Sequence, residues 1–408
     1  MRNTPRWSWF HRTAVPPDRR LSGEAVVTLI IHGCFQFGAS MSGLFLNLYL
    51  WRLTEDLMVN GIYNMVVFFM TPFAFALGGW IAKQKDRMVT YRLGIVLIAL
   101  FYLAVIFARE QVAEFYIGFA VFSGIAQGFY WTGYLVLMYD VSTDTNRIRF
   151  LAINMMVFNA AGLAGPAVAG YVISRNEGLQ GYIITFAIAF AMFLAASVIS
   201  LRIRRQTSHH KAYYLKFVGL LLKRNRLWTR SLASFFVLGL LQGIMLFLPN
   251  ILLFRTVGRE DWVGYLGVLF ALLTVLTGYC ISRMAKEQYA RQYVLVSSLG
   301  VIAGASVLLI DIRFWTVVTF MVIFSLCNPL TVNTLTSYYY RIMGKLPLKG
   351  QLRVESVVMR EVFLNAGRVI SICLLLLFSM DLDSGKLPFV LLGASILQLS
   401  MIRLIKNR

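Results

Sequence analysis

Glu361, Asn365 and Arg368 stand four and three residues apart inside one apolar run, Val354 to Met380, so on a helix they share a face. At about 1.5 Å per residue Arg368 falls close to the centre of that run, where a charge costs on the order of 2.5 to 3.5 kcal/mol and must face water or a partner. A guanidinium there suits an anionic group. Glu361, the only acid well inside any of the long apolar runs, suits a proton carrier. The competing reading is a structural network in which Glu361 neutralises Arg360 or Arg368.

Other polar groups fall on apolar helical stretches. His32, Gln36 and Ser40 recur every four residues on one stripe, and Gln242 occupies the middle of a later run. His32 is either a protonation switch, since histidine titrates near neutral pH, or a neutral ring bonded to a neighbouring helix. Gln127, Tyr130, Trp131 and Tyr134 either wall a cavity and stack on a bound molecule, or pack and anchor at the bilayer interface. Catalytic signatures are missing: the sequence has no phosphate-binding glycine loop of the Walker type and no His-Glu-x-x-His pattern, and His209-His210 has no acidic or cysteine neighbour. No cofactor and no metal are expected.

The elements that must position these residues are twelve long apolar runs, since inside hydrocarbon a helix satisfies its own backbone. They span 25–50, 57–82, 93–108, 115–139, 150–174, 181–201, 231–254, 262–282, 293–310, 314–337, 354–380 and 387–401. The tails and the loops after even-numbered runs hold 30 of the 39 basic residues, so by the positive-inside rule both termini are expected in the cytoplasm. The net charge of +21 then reflects loop bias and attraction to anionic lipid, and nucleic acid is not expected as a partner. The polar, basic start does not read as a signal peptide. Cys34, Cys280, Cys327 and Cys373 all lie in apolar runs and read as packing residues.

The chain divides into an N-tail at 1–24, a six-helix unit at 25–201, a basic linker at 202–230, a second six-helix unit at 231–401 and a tail at 402–408. Within the linker Tyr213, Tyr214, Phe217, Val218, Leu221 and Leu222 recur at helical spacing, which predicts a short amphipathic helix on the inner leaflet. The two units repeat: at an offset of 203 residues Asn47 to Arg52 aligns with Asn250 to Arg255, Gly61 with Gly264, and Ile81 to Gln84 with Met284 to Glu287.

With these features the chain resembles the major facilitator superfamily over essentially its whole length. The segment Gly78 to Arg87 is similar to that family's glycine, acidic, basic gating motif, which implies gating roles for Gly79, Asp86 and Arg87, although Lys83 stands where the spacing expects the acid. Gly162, Gly165, Pro166 and Gly170 resemble the glycine-proline motif of the family's antiporters and imply export. The resemblance implies an all-α membrane protein of two pseudo-symmetric six-helix bundles working by alternating access. The resulting expectation is a monomeric, proton-coupled exporter of a small organic compound in the bacterial cytoplasmic membrane. Gln36, Gln127, Tyr130, Trp131, Tyr134, Gln242, Asn365 and Arg368 would bind the compound, and Glu361 and His32 would carry the proton. The alternatives are a proton-coupled importer of an anionic solute, a non-transporting receptor, or a membrane-embedded enzyme on the same scaffold.

Overall fold

A computed structural model describes residues 20–141, 147–203, 212–284, 287–347, 352–378 and 385–405, and in them every regular element is a helix. The first half holds α1 (Gly23–Thr54), α2 (Leu57–Gln84), α3 (Arg87–Ala108), α4 (Tyr116–Asp140), α5 (Arg147–Ser174) and α6 (Gln180–Ser200). A short α7 (Leu215–Arg224) follows the linker. The second half holds α8 (Arg226–Met245), α9 (Leu248–Val257), α10 (Glu260–Met284), α11 (Ala290–Val307), α12 (Phe314–Met343), α13 (Arg353–Phe378), α14 (Leu387–Leu397) and α15 (Met401–Leu404). With α8 and α9 taken as one span, and α14 and α15 as another, twelve long helical segments remain.

Eleven of those segments are long and apolar enough to cross a membrane. The other is α4, whose hydropathy is diluted by Gly118, Gly124, Gln127, Gly128, Gly133 and its tyrosines. Glycine lets α4 lie backbone-close to its neighbours: a Cβ on Gly124 would stand 2.6 Å from the Val67 carbonyl of α2. Large apolar side chains face outward along whole helix faces, as with Phe69, Phe73, Leu77 and Trp80 on α2, the pattern of a lipid-facing surface.

Polar side chains start the helices where the apolar runs begin. Asp56 Oδ1 accepts from the Met58 amide at 2.7 Å at the head of α2, and Asn225 Oδ1 accepts from the Trp228 amide at 3.0 Å at the head of α8. The seventh apolar run, expected as one helix over 231–254, is two helices. The helical path breaks at Leu246 and Phe247, and Pro249, which has no amide hydrogen, sits in the first turn of α9.

The sequence repeat is visible as a repeat of packing. Within the first half α1 packs on α5 and α6, and α3 on α4 and α6; within the second, α8 packs on α13 and α14, and α11 on α12 and α14. The halves meet along two equivalent seams, α2 with α13 and α10 with α5. The repeated pair Gly61 and Gly264 lies on them: Gly61 faces Leu376 of α13, and Gly264 faces Pro166 and Gly170 of α5.

Candidate functional site

The α2–α13 seam runs the length of both helices. From one end to the other it brings Gly61 to Leu376, Met65 to Cys373, Phe68 to Arg368, Gly79 to Val354 and Lys83 to Glu355. Arg368 therefore lies part-way along it, about 20 Å of helix from Glu355.

Around Arg368 the second half packs backbone to backbone. Gly239 and Gly243 of α8 face Gly367 and Arg368 of α13, and a Cβ on Gly243 would stand 2.6 Å from the Arg368 carbonyl. This close approach sets Gln242 opposite the guanidinium. Arg368 Nη2 donates to Gln242 Oε1 at 2.9 Å and Nη1 to Asn365 Oδ1 at 3.2 Å, and the charge lies 5.0 Å from the Phe68 ring of the other half. Arg368 Nε is buried without a hydrogen-bond partner. Glu361 does not pair with it. The Glu361 carboxylate takes two hydrogen bonds from Arg360, at 3.1 Å from Nε and 2.7 Å from Nη2, and a long one of 3.4 Å from Asn365. The cluster thus holds two cations and one carboxylate, and among the described residues the Arg368 guanidinium has only the neutral amides of Gln242 and Asn365 as hydrogen-bond partners.

His32, Tyr130 and Tyr134 form a second cluster, inside the first half. His32 Nδ1 and Tyr130 Oη share a hydrogen bond of 3.0 Å, the imidazole stacks on Tyr134 at 4.3 Å, and Tyr134 Oη accepts from Asn154 Nδ2 at 2.7 Å. Tyr130 is fully buried and stacks on Phe35, so α1, α4 and α5 are joined here by aromatic packing. Trp131, half-buried, meets both tyrosines edge-on. Gln127 bonds within its own helix to Ser123, whereas Gln36 is buried with Oε1 unpartnered. Among the described residues no hydrogen bond or ion pair joins this cluster to Arg368.

The glycine-proline run of α5 serves two contacts. Gly165 faces Ser40 and Met41 of α1, while Pro166 and Gly170 face Gly264 across the α10–α5 seam; Gly162 faces open space. At the end of that seam remote from the linker, Glu260 of α10 accepts from Tyr182 of α6 at 3.3 Å and pairs with Arg52 of α1 at 3.5 Å.

The linker end is closed by a different device. Lys83 Nζ of α2 reaches Glu355 Oε1 of α13 at 2.5 Å and the Ala212 carbonyl at 3.0 Å, and the Tyr214 amide donates to the same Glu355 oxygen at 2.9 Å. Tyr213 lies over Gly79, where a side chain would meet it, and donates to the Ala76 carbonyl at 3.1 Å. Burial, and secondarily the Glu355 carboxylate, pushes the Tyr213 phenol above its ordinary value. Glu355 is fully buried. Of the gating residues expected from sequence, Gly79 takes part in this clasp, Asp86 caps α3 through the Met88 amide at 2.9 Å, and the Arg87 side chain lies outside the described residues. At this end Lys83 carries a charge from the first half to the second.

The profile of the Major Facilitator Superfamily matches residues 28–348. The uncharacterized protein YqgE of Bacillus subtilis (strain 168) is 31% identical over 366 residues, which are 89% of this chain and 84% of that one. An uncharacterized protein in the sodM 3'region of Geobacillus stearothermophilus is 32% identical over 169 residues, 41% of this chain and 79% of its own. Among solved structures, an inward-facing bacterial homologue of the iron transporter ferroportin superimposes with a TM-score of 0.71 at 14% identity, over 93% of this chain and 98% of that one. The nucleoside transporter NupG gives 0.70 at 14% identity over 94% and 100%, and a D-xylose-proton symporter 0.69 at 12% over 94% and 98%.

Proposed function

Since the chain belongs to the major facilitator superfamily and is a multi-pass membrane transporter rather than an enzyme, we propose that its solute is a small organic anion held by Arg368 between the two halves. The observation that carries this reading is the charge balance at α13. Arg360 takes the one carboxylate, and Arg368 keeps its charge in a buried place with Gln242 and Asn365 as neutral supports. A buried cation without a counter-ion is costly unless an anion completes it. Gln36 and Gln242 line the path as neutral hydrogen-bonding groups.

The same balance bears on coupling. A proton on Glu361 raises the local charge and favours anion binding, and by reciprocity a bound anion favours the proton. Proton and anion then travel together, which gives uptake under an inward proton gradient. Export remains the second reading, favoured by the likeness of Gly162, Gly165, Pro166 and Gly170 to the antiporter motif; it requires proton and solute to exclude each other. Access alternates as the Lys83–Glu355 clasp at the cytoplasmic end and the Arg52–Glu260–Tyr182 contact at the other end open in turn. His32 serves the first half as a packing hydrogen-bond partner of Tyr130 rather than as the coupling group.

The test is a thermal-stabilisation screen of purified protein against carboxylates, organic phosphates and neutral analogues, followed by flux in vesicles under an imposed pH gradient. Stabilisation by anions, lost in Arg368→Gln, and uptake driven by an acidic exterior are expected. Stabilisation by neutral or cationic compounds that Arg368→Gln leaves intact would refute the anion assignment.

A further inference from the structure

The linker enters the clasp with its backbone, through the Ala212 carbonyl and the Tyr214 amide, and Lys83 also lies 5.5 Å over the Tyr214 ring. α7 begins at the next residue, and one residue, Asn225, joins its end to α8, a membrane span. Both tethers hold α7 at the level of the bilayer surface. Val218 and Leu221 attach it to the bundle, in the apolar cluster that contains Trp228 and Leu232.

The other side of α7 is open. Phe217 and Leu220 are 40% and 45% exposed, beside exposed Lys223 and Arg224, with Arg226 and Arg230 following. At about 100° per residue Arg224 projects between Phe217 and Leu220 on the helix wheel. From Arg202 to Arg230 the chain carries nine basic residues and no acid. Cations interleaved with exposed aromatic and aliphatic side chains match a leaflet of anionic phospholipid, which offers phosphate at the surface and hydrocarbon just beneath it. An acidic soluble partner would satisfy the charges and leave Phe217 and Leu220 in water.

We propose that α7 rests on anionic phospholipid, and that this contact holds the 212–214 segment in the Lys83–Glu355 clasp, so that the charge of the leaflet sets how readily the linker end opens. If α7 leaves the surface, Tyr214 is drawn with it and Glu355 loses a hydrogen bond. The inference rests on the carrier fold and not on the solute assigned to Arg368.

The test uses the full chain in nanodiscs of phosphatidylcholine with or without phosphatidylglycerol, spin-labelled at Lys85 and Lys345, which are exposed on opposite halves at this end. Phosphatidylglycerol should raise the closed-to-open ratio by about fivefold, the lower end of ordinary allosteric couplings. Lys223→Gln with Arg224→Gln and Arg226→Gln should abolish the response, Phe217→Gln with Leu220→Gln should weaken it, and Lys223→Arg with Arg224→Lys and Arg226→Lys should keep it. A wild-type distance distribution indifferent to phosphatidylglycerol, or a charge-neutralised variant that responds like wild type, would overturn the proposal. Neither result depends on finding the solute.

Discussion

Replacing Lys83 by methionine leaves the Glu355 carboxylate, fully buried at the linker end, without its cation. Removing one partner of a buried pair costs about 3–5 kcal/mol, and here the cost falls on the closed state alone, because parting the halves returns Glu355 to water. The closed-to-open ratio should therefore fall by roughly two to three and a half orders of magnitude. The Tyr214 amide still binds Glu355, which places the expected effect at the lower end. Distances between labels at Lys85 and Lys345 report the ratio directly. Glu355→Leu with Lys83→Met removes both charges and should recover most of the closed state, and exchanging the residues, Lys83→Glu with Glu355→Lys, should recover it in part. If the single effects merely add in the double variant, the two groups do not interact and the clasp is not a gate.

Three other outcomes follow from the geometry. Glu361→Gln strands Arg360 and should lower thermal stability, with recovery in Arg360→Gln/Glu361→Gln but not in Arg368→Gln/Glu361→Gln; recovery by the latter pair would show that Glu361 serves Arg368 after all. Gly243→Val drives side-chain atoms against the Arg368 backbone and should cost about 1–3 kcal/mol with loss of anion binding, read by thermal unfolding; an unchanged midpoint would mean that the α8–α13 approach is looser than described. His32→Phe keeps the stack on Tyr134, loses the bond to Tyr130, and should cost about 1 kcal/mol while leaving the pH profile of transport in place; a profile that flattens would return His32 to the coupling path.

Local and periodic features were legible in the sequence. Hydropathy located the spans because burial in lipid is a property of whole runs, and the spacing of Glu361, Asn365 and Arg368 exposed their shared face. The amphipathic period within the linker anticipated α7. What escaped lies in tertiary contacts. Lys83 and Glu355 are 272 residues apart, and Glu355 reads as an ordinary first-turn acid until the linker folds over it. Glu361 pairs with Arg360, one of the two partners that the sequence offered it, and helical periodicity does not choose between them. Phe68 gives no polar signal at all. The break between α8 and α9 is a local event that a hydropathy average smooths away, although Pro249 marks its place. The glycines of α4, which lowered its hydropathy, are the residues that let it pack between α2 and α3: Gly124 and Gly128 lie against α2 and Gly133 against Tyr91 of α3.

Whether Arg368 is the anion-binding group is tested most simply by direct titration. The measurement is calorimetric binding of the best stabilising carboxylate or organic phosphate to purified wild type, Arg368→Lys and Arg368→Gln, with the Lys85–Lys345 distance followed in parallel. Wild type should bind, Arg368→Lys should bind more weakly because a lysine lacks the two-pronged guanidinium, and Arg368→Gln should not bind while its halves still open and close. An Arg368→Gln protein that binds the anion as wild type does would contradict the account.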